Sequence, residues 1–139
     1  MSTADGSSDP TTDPDIIDLA TTVFDFARNG DTEPLGAYIA AGVPVNLTND
    51  SGDTLVMLAS YHGHADTVAH LCRHGADVDR LNDRGQSPLA GAVFKGEDDV
   101  VAVLVEHGAD PQAGTPSATE AARMFDQRHY LELFGDQDH

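Results

Sequence analysis

Residues 50–82 read DSGDTLVMLASYHGHADTVAHLCRHGADVDRLN, and residues 83–114 read DRGQSPLAGAVFKGEDDVVAVLVEHGADPQAG. Set one above the other, Gly52, Gly63, Gly75, Ala76 and Asp77 fall on Gly85, Gly96, Gly108, Ala109 and Asp110, every offset being 33. A further step of 33 back puts Gly63 on Gly30, Gly75 on Gly42 and Val78 on Val45, so RNGDTEPLGAYIAAGVPVNLTN (28–49) is a third, more worn copy. A period held over three copies signals a repeat architecture, in which each unit buries its apolar face only against its neighbours.

Each copy carries the same punctuation. Thr54 and Ser87 are hydroxyl N-caps, and Pro88 follows Ser87 where a missing amide hydrogen costs little. A first helix of about nine residues starts there and ends at Gly63 or Gly96, which suit the reversal into a second helix. Gly75 and Gly108 stop that second helix, and ADVDRLNDRG (76–85) has the extended arms and Asp/Asn/Gly turn of a hairpin-like loop. The unit is therefore helix, turn, helix, loop.

On GDTLVMLASYHGH (52–64) and GQSPLAGAVFKGE (85–97), then HGADV (74–78) and HGADP (107–111), the chain resembles the ankyrin repeat, whose period is 33 residues. Leu55 stands where that family has proline, and Gly91 stands where an apolar packing residue is usual. The resemblance implies an all-α repeat solenoid of about four stacked units, caps included, over residues 15–135. Its divisions are an N-terminal cap repeat (15–49), two central repeats (50–82 and 83–114) and a C-terminal cap repeat (115–135). DIIDLATTVFDFARNG (15–30) opens as an amphipathic helix, with Asp18 and Asp25 on a polar outer side. TPSATEAARMFDQRHYLELFG (115–135) supplies the last two helices. Residues 1–14, rich in Ser, Thr, Asp, Gly and Pro, are expected to be a disordered acidic tail.

HGHADTVAHLCRH (62–74) raises the possibility of a zinc site, since imidazole and thiolate are zinc ligands. Register disperses it. His62 belongs to the first helix and His64 to the start of the second, where a polar residue can meet unpaired amides. His74 falls in the last turn, while His70 aligns with Ala37 and Val103, and Cys72 with Ile39 and Val105, at apolar packing positions. No metal and no cofactor is expected. A Cys72 nucleophile would need an accessible, activated thiolate, and no Gly-rich phosphate loop follows a strand, so an enzyme is not expected.

With 24 Asp plus Glu against seven Lys plus Arg, the formal net charge is −17. Such a chain is repelled by phosphate backbones and anionic membranes, which disfavours nucleic acid and membrane as partners. No apolar run approaches the roughly 20 residues that span a bilayer. The start, without a basic stretch followed by an apolar one, and the single Cys72 fit a reducing cytoplasmic location.

The expected function is a monomeric, non-catalytic module that binds a partner protein through a concave groove of first helices and loop tips. An acidic decoy or inhibitor of a basic, nucleic-acid-binding site is the alternative. By the resemblance, the two residues before the end of each first helix line the groove: Arg28 and Asn29, Tyr61 and His62, Phe94 and Lys95, and, by register, Gln127 and Arg128. Aromatic and Arg side chains are those that binding hot spots favour. Asp50, Asp53, Asp83 and Arg84 at the loop tips complete the site as a polar rim.

Overall fold

The computed structural model describes residues 14–135. The tail expected over 1–14 lies outside them except for Pro14, which opens the first helix. The described residues form eight helices in four pairs: α1 (Pro14–Asn29) with α2 (Thr32–Ala40), α3 (Leu55–Tyr61) with α4 (Ala65–Arg73), α5 (Pro88–Lys95) with α6 (Asp98–Glu106), and α7 (Ala118–Met124) with α8 (Arg128–Leu133). First helices α1, α3, α5 and α7 stack as one layer and the second helices as another. Packing is more extensive within the first layer, here called the inner one, than within the second, the outer.

The period seen in the sequence is the period of the core. Val23, Val56 and Leu89 occupy one column of the inner layer, and Leu35, Val68 and Val101 one column of the outer layer; none of the six has any exposure. Burial of such a side chain contributes about 1.5–3 kcal/mol. Helices of seven to nine residues are marginal alone, so this cross-repeat burial is what holds them.

The hydroxyl caps form as the sequence implies. Thr54 Oγ1 accepts from the Met57 amide at 3.1 Å and Ser87 Oγ from the Ala90 amide at 3.0 Å. Ser117 adds a third cap, closed reciprocally by Glu120: the Ser117 amide donates to Glu120 Oε1 at 2.8 Å, and the Glu120 amide donates to Ser117 Oγ at 3.1 Å.

The loops keep the tight turn but not extended arms, and the described residues contain only isolated bridges, such as Thr48 with Thr54. Asn49 Oδ1 accepts from the amides of Ser51 and Asp53, and one period later Asn82 Oδ1 accepts from those of Arg84 and Gln86. Successive loops are also stitched to each other: the Asp77 amide donates to Asn46 Oδ1 at 2.8 Å, and the Asp110 amide to Asp79 Oδ1 at 2.7 Å. The bond repeats with the chain.

One expectation of register is corrected. A constant step of 33 ends the last first helix before His129, whereas α7 ends at Met124. The loop before α7 is three residues shorter than its predecessor, so Ser117 answers Ser87 at a step of 30 (117 − 87). Asp126, at φ +54°, then does the work of Gly96 at φ +70°. Gln127 stands at the N-cap position of α8 without a side-chain cap bond, and Arg128 begins the helix, pairing with Asp126 at 3.3 Å. The residues at the equivalent helix end of this repeat are Met124 and Phe125.

Candidate partner-binding groove

Four first helices end side by side, and the corrected register gives the column Arg28, Tyr61, Phe94, Met124, followed by Asn29, His62, Lys95, Phe125. The column runs from cationic to apolar along the stack. A cleft of about 290 Å³ between these helix ends and the loop tips is lined by Arg28, Asn49, Asp53, Tyr61, His62 and Arg84, among others. A smaller one of about 100 Å³ lies further along, bounded by Ala90, Phe94, Pro116, Met124 and Phe125. Of the residues singled out from the sequence, Arg28, Asp53, Tyr61, His62 and Arg84 line the larger cleft and Phe94 the smaller, whereas Asn29, Asp50, Asp83, Lys95, Gln127 and Arg128 line neither.

Tyr61 is half-buried, its ring lying against α5 with Cδ1 3.5 Å from where a Cβ on Gly91 would sit. Lys95 Nζ then covers the ring at 4.8 Å from its centroid, a cation–π contact. Phe94, 61 % exposed, meets Phe125 edge to face at 5.7 Å, and Met124 beside them is 67 % exposed. Large apolar side chains left in water at one spot mark a binding surface. Phe125 and Met124 escaped register reading because the shortened loop displaced them; the signal that finds them is the Ser117-x-x-Glu120 capping box.

The rim is tied into the loops. The Asn82 side-chain amide donates to Asp53 Oδ1 at 2.8 Å, and the Asp83 amide donates to the Ser51 carbonyl at 3.0 Å. Asp50 is exposed, and Arg84 Nε donates to Gln86 Oε1 at 3.3 Å.

The histidines go to separate tasks. His62, exposed at the C-terminus of α3, is held below its ordinary pKa, first by burial and then by the charges of His64, Lys95 and Arg28. His64 does not cap α4; its Nε2 lies 2.7 Å from the Arg28 carbonyl and donates to it, bonding one repeat to the one before. The His74 ring bonds the His70 carbonyl at 2.9 Å and stacks on the His70 ring at 4.4 Å. His70 Nε2 is buried without a partner, against Gly36 of the preceding repeat, and burial followed by His74 and Arg73 lowers its pKa. Cys72 packs against the core with Ile39 and Val105, and burial pushes its thiol up, away from the reactive thiolate. Among the described residues no group of three or more His, Cys, Asp or Glu is placed to hold a metal ion, and no helix is long and apolar enough to cross a membrane.

Comparison with known proteins agrees with this geometry. A family model described as ankyrin repeats, in three copies, matches residues 23–115. An ankyrin repeat protein of Pseudomonas aeruginosa is 48 % identical over 59 residues, which are 42 % of this chain and 34 % of that protein. The crystal structure of the human ASB11 ankyrin repeat domain superposes with a TM-score of 0.70 at 28 % identity, over 84 % of this chain and 54 % of that domain. The match thus spans well under two thirds of either relative's length.

Proposed function

The chain belongs to the ankyrin repeat family, whose repeats are generally protein-interaction modules, and from that premise we propose a non-catalytic module that holds a partner protein in its inner groove. The carrying observation is the exposed cluster of Phe94, Met124 and Phe125 at one end of a groove whose other end is lined by Arg28, Asp53, His62 and Arg84 beside Met57, Leu58 and Tyr61. A partner that buries these rings gains rigid apolar area at small entropic cost, while the polar walls fix its register. The acidic decoy is the weaker reading, because a decoy presents its carboxylates to the partner and this groove presents Arg28, Arg84 and Lys95. Cys72, half-buried and with a raised pKa, supplies no activated nucleophile to a catalytic reading.

Site-specific photo-crosslinking in the native host tests the groove. A photoreactive residue at Phe94 is compared with one at Ala102, an exposed position on α6 in the outer layer. Crosslinks to one protein from position 94 and none from 102 support the reading; crosslinks from 102 alone, or equal yields from both, overturn it.

A further inference from the structure

Resting on the groove reading above, we infer that the bound segment is an extended stretch of a partner protein in which Asp or Glu residues are followed by large apolar side chains. The chain is acidic almost everywhere, with 24 Asp plus Glu against seven Lys plus Arg, yet three of those seven cations stand at this one groove. Among the described residues Arg84 and Lys95 form no ion pair, and Arg28 spends one N–H on an exposed Asp25 at 3.0 Å. In so acidic a protein, cations left without carboxylates are conspicuous, and Arg keeps several donors in a fork suited to carboxylate. The one carboxylate that lines the cleft, Asp53, is already engaged by the Asn82 amide.

The apolar half follows from the column order. Arg28 stands on α1 and Phe94 on α5, two packed helices away. At 8–10 Å per packed pair that is roughly 16–20 Å, which about six residues of extended chain span. Carboxylates beside Arg28 therefore place the following side chains on Phe94, Met124 and Phe125, with Arg84 and Lys95 flanking the path between. Electrostatic complementarity of this kind fixes direction and speeds encounter, and the apolar end supplies burial.

The experiment uses the full chain and three short fluorescent peptides: glutamates followed by leucine and phenylalanine, the same peptide with glutamines for glutamates, and its reverse order. Anisotropy is read at low and physiological ionic strength, and the His62 imidazole is followed by NMR titration. The expected result is binding of the first peptide, about tenfold weaker binding of the glutamine and reversed forms, and a rise in the His62 pKa on binding. Arg84→Gln with Lys95→Gln should remove that preference, while Phe94→Ala with Met124→Ala weakens all three peptides alike. Glutamate and glutamine peptides that bind equally, both lost in the Phe94/Met124 variant, overturn the acidic segment and leave the groove reading standing. Binding indifferent to both double variants overturns the groove reading as well. A dimer in sedimentation that the peptide fails to dissociate makes a second copy the occupant, and overturns the assignment to a partner. All variants sit at exposed positions, so circular dichroism is expected to show unchanged folding.

Discussion

The same substitution, glycine to alanine, should move stability in opposite directions at two positions of this stack. In α5, Gly91 is buried, and an added Cβ would meet Tyr61 Cδ1 at 3.5 Å and Met57 Cε at 3.8 Å, ordinary van der Waals contact. Gly91→Ala therefore gains about 1 kcal/mol of helix propensity and up to about 0.8 kcal/mol for the buried methyl. For a domain of this size that is a rise in Tm of roughly 4–8 °C. In α2, a Cβ on Gly36 would lie 2.6 Å from His70 Nε2 and 3.0 Å from Cε1, and the stack on His74 hinders the ring's retreat. Overpacking costs about 1–3 kcal/mol, which outweighs the same propensity gain, so Gly36→Ala should destabilise by about 1 kcal/mol. With His70→Val in place the obstruction is gone, and Gly36→Ala should then stabilise. Urea unfolding followed by far-UV circular dichroism measures all four variants, with an unchanged slope confirming that stability alone has moved. A fall in midpoint for Gly91→Ala, or a Gly36→Ala effect that is the same with and without His70, would refute the packing described for these helices.

The remaining predictions concern titration, the C-terminal cap and charge. Because the folded pKa of His70 is lowered, the unfolded chain takes up the proton more readily, so stability should fall as pH drops below about 6.5 and level off once the folded imidazole is also protonated. His70→Val, which removes a buried nitrogen without a partner, should raise stability by about 1 kcal/mol at pH 7 and flatten that slope; lost stability at neutral pH would refute it. Tyr130, 2 % exposed, donates its hydroxyl to Asp98, so Tyr130→Phe should cost about 1 kcal/mol in urea unfolding and loosen α8, whereas an unchanged midpoint would show the bond idle. At a formal charge of −17, added NaCl should raise the thermal midpoint by screening self-repulsion, and a fall from low to moderate salt would contradict that account.

How much of this was legible depended on whether the cause of each feature lies within one repeat. Thr54 and Ser87 cap their own helices through amides three residues on, so local chemistry sufficed to find them. The apolar columns needed only the period. His64 was read as meeting the amides of its own helix, but its ring reaches back 36 residues to the Arg28 carbonyl, a partner that no alignment column contains. His70 was matched with Ala37 and Val103, yet what decides its environment is Gly36, its neighbour in the preceding repeat. Alignment shows which residues are equivalent, whereas packing joins residues that are not.

The misplaced end of α7 shows what a period does and does not constrain. Ser87 to Gly96 and Ser117 to Asp126 are both nine residues, because a first helix must start at the loop and turn back where the next layer begins. The three residues lost lie between Gly108 and Ser117, in a loop with no later repeat to support. Helix length is fixed by the two layers it bridges; loop length is fixed only by the neighbouring loop, and among the described residues this loop has one on one side alone. The break in register falls there, and with Asp126 in place of a glycine it conceals Met124 and Phe125 from a constant step of 33. With Phe94 at 61 % exposure, these two, at 67 % and 48 %, are the large apolar residues of the column left in water. In a stack where nearly every apolar side chain serves its neighbours, large side chains freed from that service are the ones left to meet a partner.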